Sequence, residues 1–436
     1  MRDVSRALKL LAALSAILFL LAGYALAEEG NEAEVHITSQ KAPTKISILV
    51  PDFTRDNEFV DKENRGVKMA DILADDLNFS GYFDAKRVSE AKGDPASWAS
   101  LGVDNLVQGS YSTDGREIQV KCRLSDTKGG TVVFERTYPN ALRVMRAKVH
   151  QMSDEVIFIL TGEKGICRTK LAFVSDMTKN NELYISDYDG HNVYRMTRDE
   201  SMCLLPAWAP SGNYLTYTSY KRVNPDLWWV SSNAKSRGIL SFYNGLNTAS
   251  AWSPDGERIA LTLSKDKNSE IYTIKRDGTG LKRLTVNSSI DTSPSWSPTG
   301  REIAFNSDRS GTPQIYVMDS EGGNVRRLTF KGGYNASPAW SPDGTKIAYV
   351  SRESGSFNIY VMGVTGDNVT RLTYNVGHNE NPSWSPDGRH IVFSSTRAGN
   401  KALYTMDSDG KNARRLDIPG NAQTPAWGPN NSRAEQ

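Results

Sequence analysis

The residues able to do chemistry in this chain are plentiful, but their spacing does not assemble a catalytic centre. The five histidines, His36, His150, His191, His378 and His390, are scattered. None opens a His-Glu-x-x-His motif, the sequence signature of a hydrolytic zinc site. No Gly-x-Ser-x-Gly elbow presents a serine nucleophile, and no glycine-rich loop cradles phosphate. Carboxylates are abundant, yet no two are spaced so that sequence assigns one as acid and one as base. Cys122, Cys167 and Cys203 are odd in number and fit no metal spacing, and we read them as free buried thiols. No cofactor or metal is expected. The chemistry that the chain repeats is recognition. Segments 241–250 (SFYNGLNTAS), 286–294 (VNSSIDTSP), 330–338 (FKGGYNASP) and 374–382 (YNVGHNENP) join Asn, Ser, Thr and Gly to a few aromatic residues. Adaptable polar groups beside rigid rings suit the binding of another protein.

Those segments alternate with a repeat that must hold them. Pro-x-Trp-Ser-Pro-x-Gly recurs around Trp208, Trp296, Trp340 and Trp384, with close variants at Trp252 and Trp427. Successive tryptophans lie 44, 44, 44, 44 and 43 residues apart, the period of a four-stranded propeller blade. Within each unit the Trp strand ends in a Pro-Asp-Gly type turn. A second strand follows (Ile303-Ala304-Phe305), then a third (Ile315-Tyr316-Val317-Met318) and a short fourth (Arg326-Arg327-Leu328-Thr329). Leu171–Val174, Leu183–Ile185 and Val193–Met196 read as strands two to four of a blade that lacks its Trp strand. The missing strand is the last one, around Trp427, so the C-terminus is expected to close the first blade. Closure removes both free sheet edges. The fold class expected is mainly β: a six-bladed propeller over residues 166–436 with the tryptophans as packing between blades.

Residues 43–163 carry no such repeat and read as a small α/β domain. Strands are expected at 45–50, 106–109, 118–124 and 131–138. Val67, Ala70, Ala74 and Leu77 mark one helix; Leu142, Met145, Val149, Met152, Val156 and Leu160 mark another. At the start, Arg2, Arg6 and Lys9 precede an apolar run from Leu10 to Leu26 and a small-residue site, Ala25-Leu26-Ala27. That pattern reads as a secretory signal over residues 1–27. Residues 28–42 form a polar tail with an alternating stretch, Glu34-Val35-His36-Ile37-Thr38, able to add to a partner by strand pairing. The chain has 52 basic and 50 acidic residues with no Lys/Arg block, so a nucleic-acid partner is excluded on charge.

The chain also resembles a known family, the TolB proteins of the Gram-negative Tol–Pal envelope system. The resemblance rests on Trp98–Asp104 (WASLGVD) with Val107-Gln108-Gly109, on Ser153-Asp154-Glu155-Val156 with Leu160-Thr161-Gly162, on Ser186–Gly190 (SDYDG), and on the repeats joined to this N-terminal domain. It implies a non-enzymatic periplasmic protein, expected as a monomer and not inserted in a membrane. It implies binding of the lipoprotein Pal by one propeller face and of TolA by the tail, in support of outer-membrane integrity and envelope constriction. On that basis we expect Pal contacts at Leu246, Thr248, Ala249, Asp291, Thr292, Asn335, His378, Asn379 and Glu380. TolA contacts are expected at Glu34, Val35, His36, Ile37 and Thr38. The acidic stretch 28–33 departs from the family pattern at the start of the tail. The alternatives are a propeller hydrolase and a module binding cell-wall fragments.

Overall fold

Blades two to six begin with the same local event. The Trp strand runs into a Ser-Pro-x-Gly turn (Ala-Pro-x-Gly in blade two) in which glycine takes a positive φ, as Gly388 does at 69°. The Ser385 hydroxyl donates to Asp387 Oδ1 at 2.5 Å, and the Arg389 N–H donates to the same oxygen at 3.1 Å. The turn is therefore satisfied by its own side chains and sends the chain back as the second strand. The computed structural model describes residues 44–58, 60–90, 98–100, 102–374 and 376–430. The expected signal segment and the tail with Glu34–Thr38 lie outside them.

Six four-stranded antiparallel sheets follow one another around the ring. The first blade consists of strands Lys170–Thr178, Asn180–Asp187 and Tyr194–Arg195, and its innermost strand is the last of the chain, Ala422–Trp427. Ala422 pairs with Ser175 and Trp427 with Leu171. The later blades start at Cys203–Trp208, Asn247–Trp252, Asp291–Trp296, Asn335–Trp340 and Asn379–Trp384.

The tryptophans pack between blades as expected, and three of the six also bond to a backbone carbonyl of the preceding blade. Trp296 Nε1 donates to the Ala251 carbonyl at 3.2 Å and Trp384 Nε1 to the Ala339 carbonyl at 3.0 Å, each in the preceding blade. Trp208 Nε1 reaches the Ala426 carbonyl at 3.2 Å, so the same bond crosses the closure. A buried indole thus supplies apolar area and satisfies a backbone carbonyl of its neighbour. Each innermost strand also carries a bulge, where the register shifts around a non-glycine residue of positive φ: Leu205, Ala249, Ser293, Ser337, Asn381 and Thr424. These residues ring an axial opening of about 140 Å³.

The α/β domain contains β1 (Ile46–Pro51), β2 (Thr54–Arg55), α1 (Arg65–Phe79), β3 (Phe83–Val88), β4 (Asn105–Thr113), β5 (Glu117–Asp126), β6 (Val132–Ala141) and α2 (Met145–Thr161). The strand order is β3-β1-β4-β5-β6, with β2 beside β4; β1 runs parallel to β3 and β4. The strand β3 is absent from the sequence reading. Its sequence, FDAKRV, buries fully only Phe83 and Ala85, and parallel pairing with β1 holds it. On α1, Ala70, Ala74 and Leu77 are buried with Met69 and Leu73, whereas Val67 points to solvent. All three cysteines are free and buried; burial pushes the Cys122 thiol up to about 12.

From Lys45 onward the chain is a single compact unit. The core of the α/β domain runs without a break into Tyr188, Val392, Leu403 and Trp427 of the propeller. At the seam, Phe79 of α1 stacks on His390 with ring centroids 4.1 Å apart, and Arg414 covers its ring at 4.1 Å. Arg389 covers Tyr82 at 4.0 Å and donates to the Ser80 carbonyl at 3.2 Å. The α/β domain therefore sits on the turn-bearing side of the first and sixth blades.

If the indole bond joins neighbouring blades, Trp384→Phe should cost less than Trp384→Ala. We expect about 1 kcal/mol for the lost hydrogen bond against about 3–5 kcal/mol for the emptied site. Urea unfolding of the three proteins checks this, and equal losses would show that the N–H contributes nothing.

Candidate partner-binding face

The side of the propeller away from the α/β domain is built from two sets of loops. One set enters the Trp strands and the other joins second to third strands. They are tied together blade by blade. The Leu246 N–H donates to Ser264 Oγ at 2.8 Å, the Ile290 N–H to Asp308 Oδ1 at 2.8 Å, and the His378 N–H to Thr396 Oγ1 at 2.9 Å. The rim is thus a fixed surface of polar loops and not a fringe of loose ones.

The nine residues expected to touch a partner all fall on this side, but they divide by burial. Leu246 and His378 are exposed, and the His378 ring packs 5.6 Å from Phe357. Thr248, Ala249, Thr292 and Glu380 are half-buried on the innermost strands, where Ala249 lines the axial opening. Thr248 shares a hydroxyl bond with Thr218 at 2.9 Å, and Thr292 Oγ1 accepts from Asn306 at 2.6 Å. Asp291, Asn335 and Asn379 are 0%, 1% and 0% exposed. In this structure those three hold the loops from beneath and offer no contact surface.

Their role is legible from their bonds. Asn335 donates from Nδ2 to the Lys331 carbonyl at 2.8 Å and to Gln314 Oε1 at 2.9 Å. Asn379 Oδ1 accepts from Ser395 at 2.8 Å and from Arg397 at 2.9 Å. Asn247, their equivalent in the third blade, binds the Tyr243 carbonyl at 2.7 Å. Asp291 takes the same position with a carboxylate: its Oδ2 accepts from Asn287 at 2.7 Å and from Arg309 at 2.9 Å. Burial raises the Asp291 carboxyl above its ordinary range, and nearby Glu270 adds to that. The Ser307 and Asn287 hydrogen bonds and the Arg309 charge act the other way. The amides of Asn247, Asn335 and Asn379 thus satisfy loop carbonyls that would otherwise be buried without partners, whereas Asp291 holds its loop by accepting from Asn287.

What the sequence reading did not single out is the apolar arc above these supports. Phe242, Val286, Phe330 and Tyr374 stand 44 residues apart, each within three residues of the end of the fourth strand. They are exposed by 65%, 76%, 73% and 59%. Arg222 lies over Phe242 at 5.6 Å, Arg327 over Phe330 at 5.0 Å and Arg371 over Tyr374 at 4.9 Å. The signal was available, since the same period that marks the tryptophans marks these four positions. Periodicity alone, however, reports equivalence between blades and not exposure. Large apolar side chains clustered on one exposed rim are what an interaction surface requires.

Asp291→Asn should keep the support while removing its repulsion from Glu270, so stability should hold or rise. Asp291→Ala should lose about 1–3 kcal/mol by stranding buried donors. Thermal unfolding distinguishes the two; equal destabilisation by both would refute the support role.

Comparison with known proteins agrees with this architecture. Residues 158–431 match the family model described as the TolB beta propeller domain, and residues 33–133 match that of the TolB amino-terminal domain. The Tol-Pal system protein TolB of Desulfosudis oleivorans is 37% identical over 217 residues, which cover 47% of this chain and 49% of that protein. Its counterpart from Haemophilus influenzae is 32% identical over 194 residues, 41% of this chain and 45% of that one. The chain thus spans about half the length of these curated relatives. The crystal structure of TolB from Acinetobacter baumannii superposes with a TM-score of 0.77 at 29% identity, covering 90% of this chain and 98% of that one. By the propeller, the domain that precedes it and the models that match both, this chain belongs to the TolB family.

Proposed function

We propose that the protein is a component of the Tol–Pal system that works by binding other proteins and not by catalysis. The observation that carries this reading is the rim opposite the α/β domain, where an exposed apolar arc rests on loops tied down from below. On this reading the rim captures Pal. Leu246, Thr248, Ala249, Thr292, His378 and Glu380 touch the partner near the axis, and Phe242, Val286, Phe330 and Tyr374 flank them. Asp291, Asn335 and Asn379 act one layer below, by holding the loops. The tail residues Glu34, Val35, His36, Ile37 and Thr38 engage TolA by strand pairing. The work is placed in the periplasm, in support of outer-membrane integrity and cell constriction. Among the described residues no helix is long and apolar enough to cross a membrane.

Few residues of an interface carry most of its energy, and buried aromatic anchors are prominent among them. Leu246→Asp and the pair Phe330→Ala with Tyr374→Ala should therefore each weaken Pal binding at least tenfold in titration calorimetry with purified Pal. Unchanged affinity in both, with the fold intact by circular dichroism, would remove the rim from the account. Deleting residues 28–42 should abolish capture of TolA while leaving Pal binding measurable; retained TolA capture would refute the tail assignment.

A further inference from the structure

The seam between the α/β domain and the propeller holds a buried set of charged groups that the partner-binding rim does not use. His150 on α2 is 2% exposed. Its Nδ1 lies 2.8 Å from Asp76 Oδ2 on α1. The same carboxylate accepts the Ser153 hydroxyl at 2.5 Å and, through Oδ1, the Tyr188 hydroxyl of the first blade at 2.5 Å. The opposite ring nitrogen, Nε2, has no hydrogen-bond partner among the described residues and lies 3.6 Å from Asp189 Oδ2, beside Tyr188 in the turn that ends the third strand of blade one. Arg146, one turn earlier on α2, pairs with that Asp189 oxygen.

The ring therefore lies between a carboxylate of the α/β domain and a carboxylate of the propeller. A neutral imidazole carries one N–H and can donate toward only one of them; the imidazolium donates from both nitrogens. The remaining charged neighbours complete the balance. Asp75 on α1 faces Arg414 of the sixth blade and Arg146, and Asp154 of α2 pairs with Arg168 at 2.9 Å. The Cys167 thiol, next to these carboxylates, is pushed up by burial and stays protonated. A metal ion in place of the proton would have to displace Arg146 from Asp189 and the three donors from Asp76.

We propose that protonated His150 is a pH-sensitive clamp that holds the α/β domain against the propeller and loosens that contact as the surrounding medium turns alkaline. The electrostatics have the right sign. Burial pulls the ring pKa down, but Asp76, by charge and hydrogen bond, and Asp189 outweigh burial and the opposing Arg146, and the net shift is upward from 6.5. The Asp189 carboxyl, which burial would raise, is held below its ordinary range by His150 and Arg146. A group whose folded pKa exceeds its unfolded one stabilises fully below the unfolded value, and that stability is lost as pH rises through the folded value. The clamp is thus at full strength below about pH 6.5 and weakens above it. His150 also lines a cleft of about 620 Å³ between α2 and the first two blades.

The test uses the mature chain with 15N-labelled histidine, and its His150→Gln variant. Ring shifts should show both His150 nitrogens protonated at pH 6, with one deprotonating only above the value of a free histidine. Amide exchange in α1, α2 and the turn at 187–191, corrected for its intrinsic pH dependence, should be several-fold slower at pH 6 than at pH 8.5. The fourth blade should show no such change, and the variant should lose the pH dependence at the seam. A neutral His150 at pH 6, or the same pH dependence in His150→Gln, would overturn the proposal. If the variant does not fold, the ring titration of the unaltered chain decides alone.

Discussion

The structure depends on one pairing, that of Ala422–Trp427 with the second strand of blade one. Without it the first blade ends in a bare edge, a row of unpaired backbone groups on its second strand, and the sixth blade loses the strand that its face packs against. With it, the indole-to-carbonyl bond that Trp296 and Trp384 make to the blade before can also be made across the join, by Trp208 to Ala426. A blade alone is a small sheet that cannot bury both of its faces. Closure turns six such sheets into a ring in which every face has a neighbour, and the rigidity of the rim follows from it.

The rim illustrates how a repeat fold separates support from recognition. At the foot of the entering loops, Asn247, Asp291, Asn335 and Asn379 are buried and spend their hydrogen bonds on the loops and strand ends around them. Above them, Phe242, Val286, Phe330 and Tyr374 face solvent at the same period. A residue at either level affects binding, but for different reasons: loss of loop shape below, and loss of contact area above. The two levels need different chemistry, short side chains with paired donors and acceptors beneath and rigid apolar groups outside.

The opposite side of the ring serves a structural purpose. There the turns of blades one and six receive α1 and α2, and the core of the α/β domain continues into the propeller. Much of that contact is aromatic and cationic, with Phe79 between His390 and Arg414 and Tyr82 under Arg389. Deep within it lies the Asp76–His150–Asp189 group. A seam that joins two domains through a titratable ring differs in kind from one made of apolar contact alone, because its strength varies with pH.

The sequence by itself determined the repeat, the number of blades, the strand within each blade that carries Trp, and the closing role of the last strand. These follow from a period of about forty-four residues and from turn chemistry, both local properties of the chain. It also located two helices and four strands of the α/β domain and placed all nine expected contact residues on one side. Only the tertiary structure decided which of the nine are exposed. Asp291, Asn335 and Asn379 sit in polar loops and read as surface, yet the loops fold over them because the two asparagines donate to loop carbonyls and Asp291 accepts from Asn287. Tertiary structure alone likewise paired β3 with β1, and brought Asp76, His150 and Asp189 together from positions up to 113 residues apart. Burial and long-range pairing are set by what packs against a residue, and a local pattern does not record that.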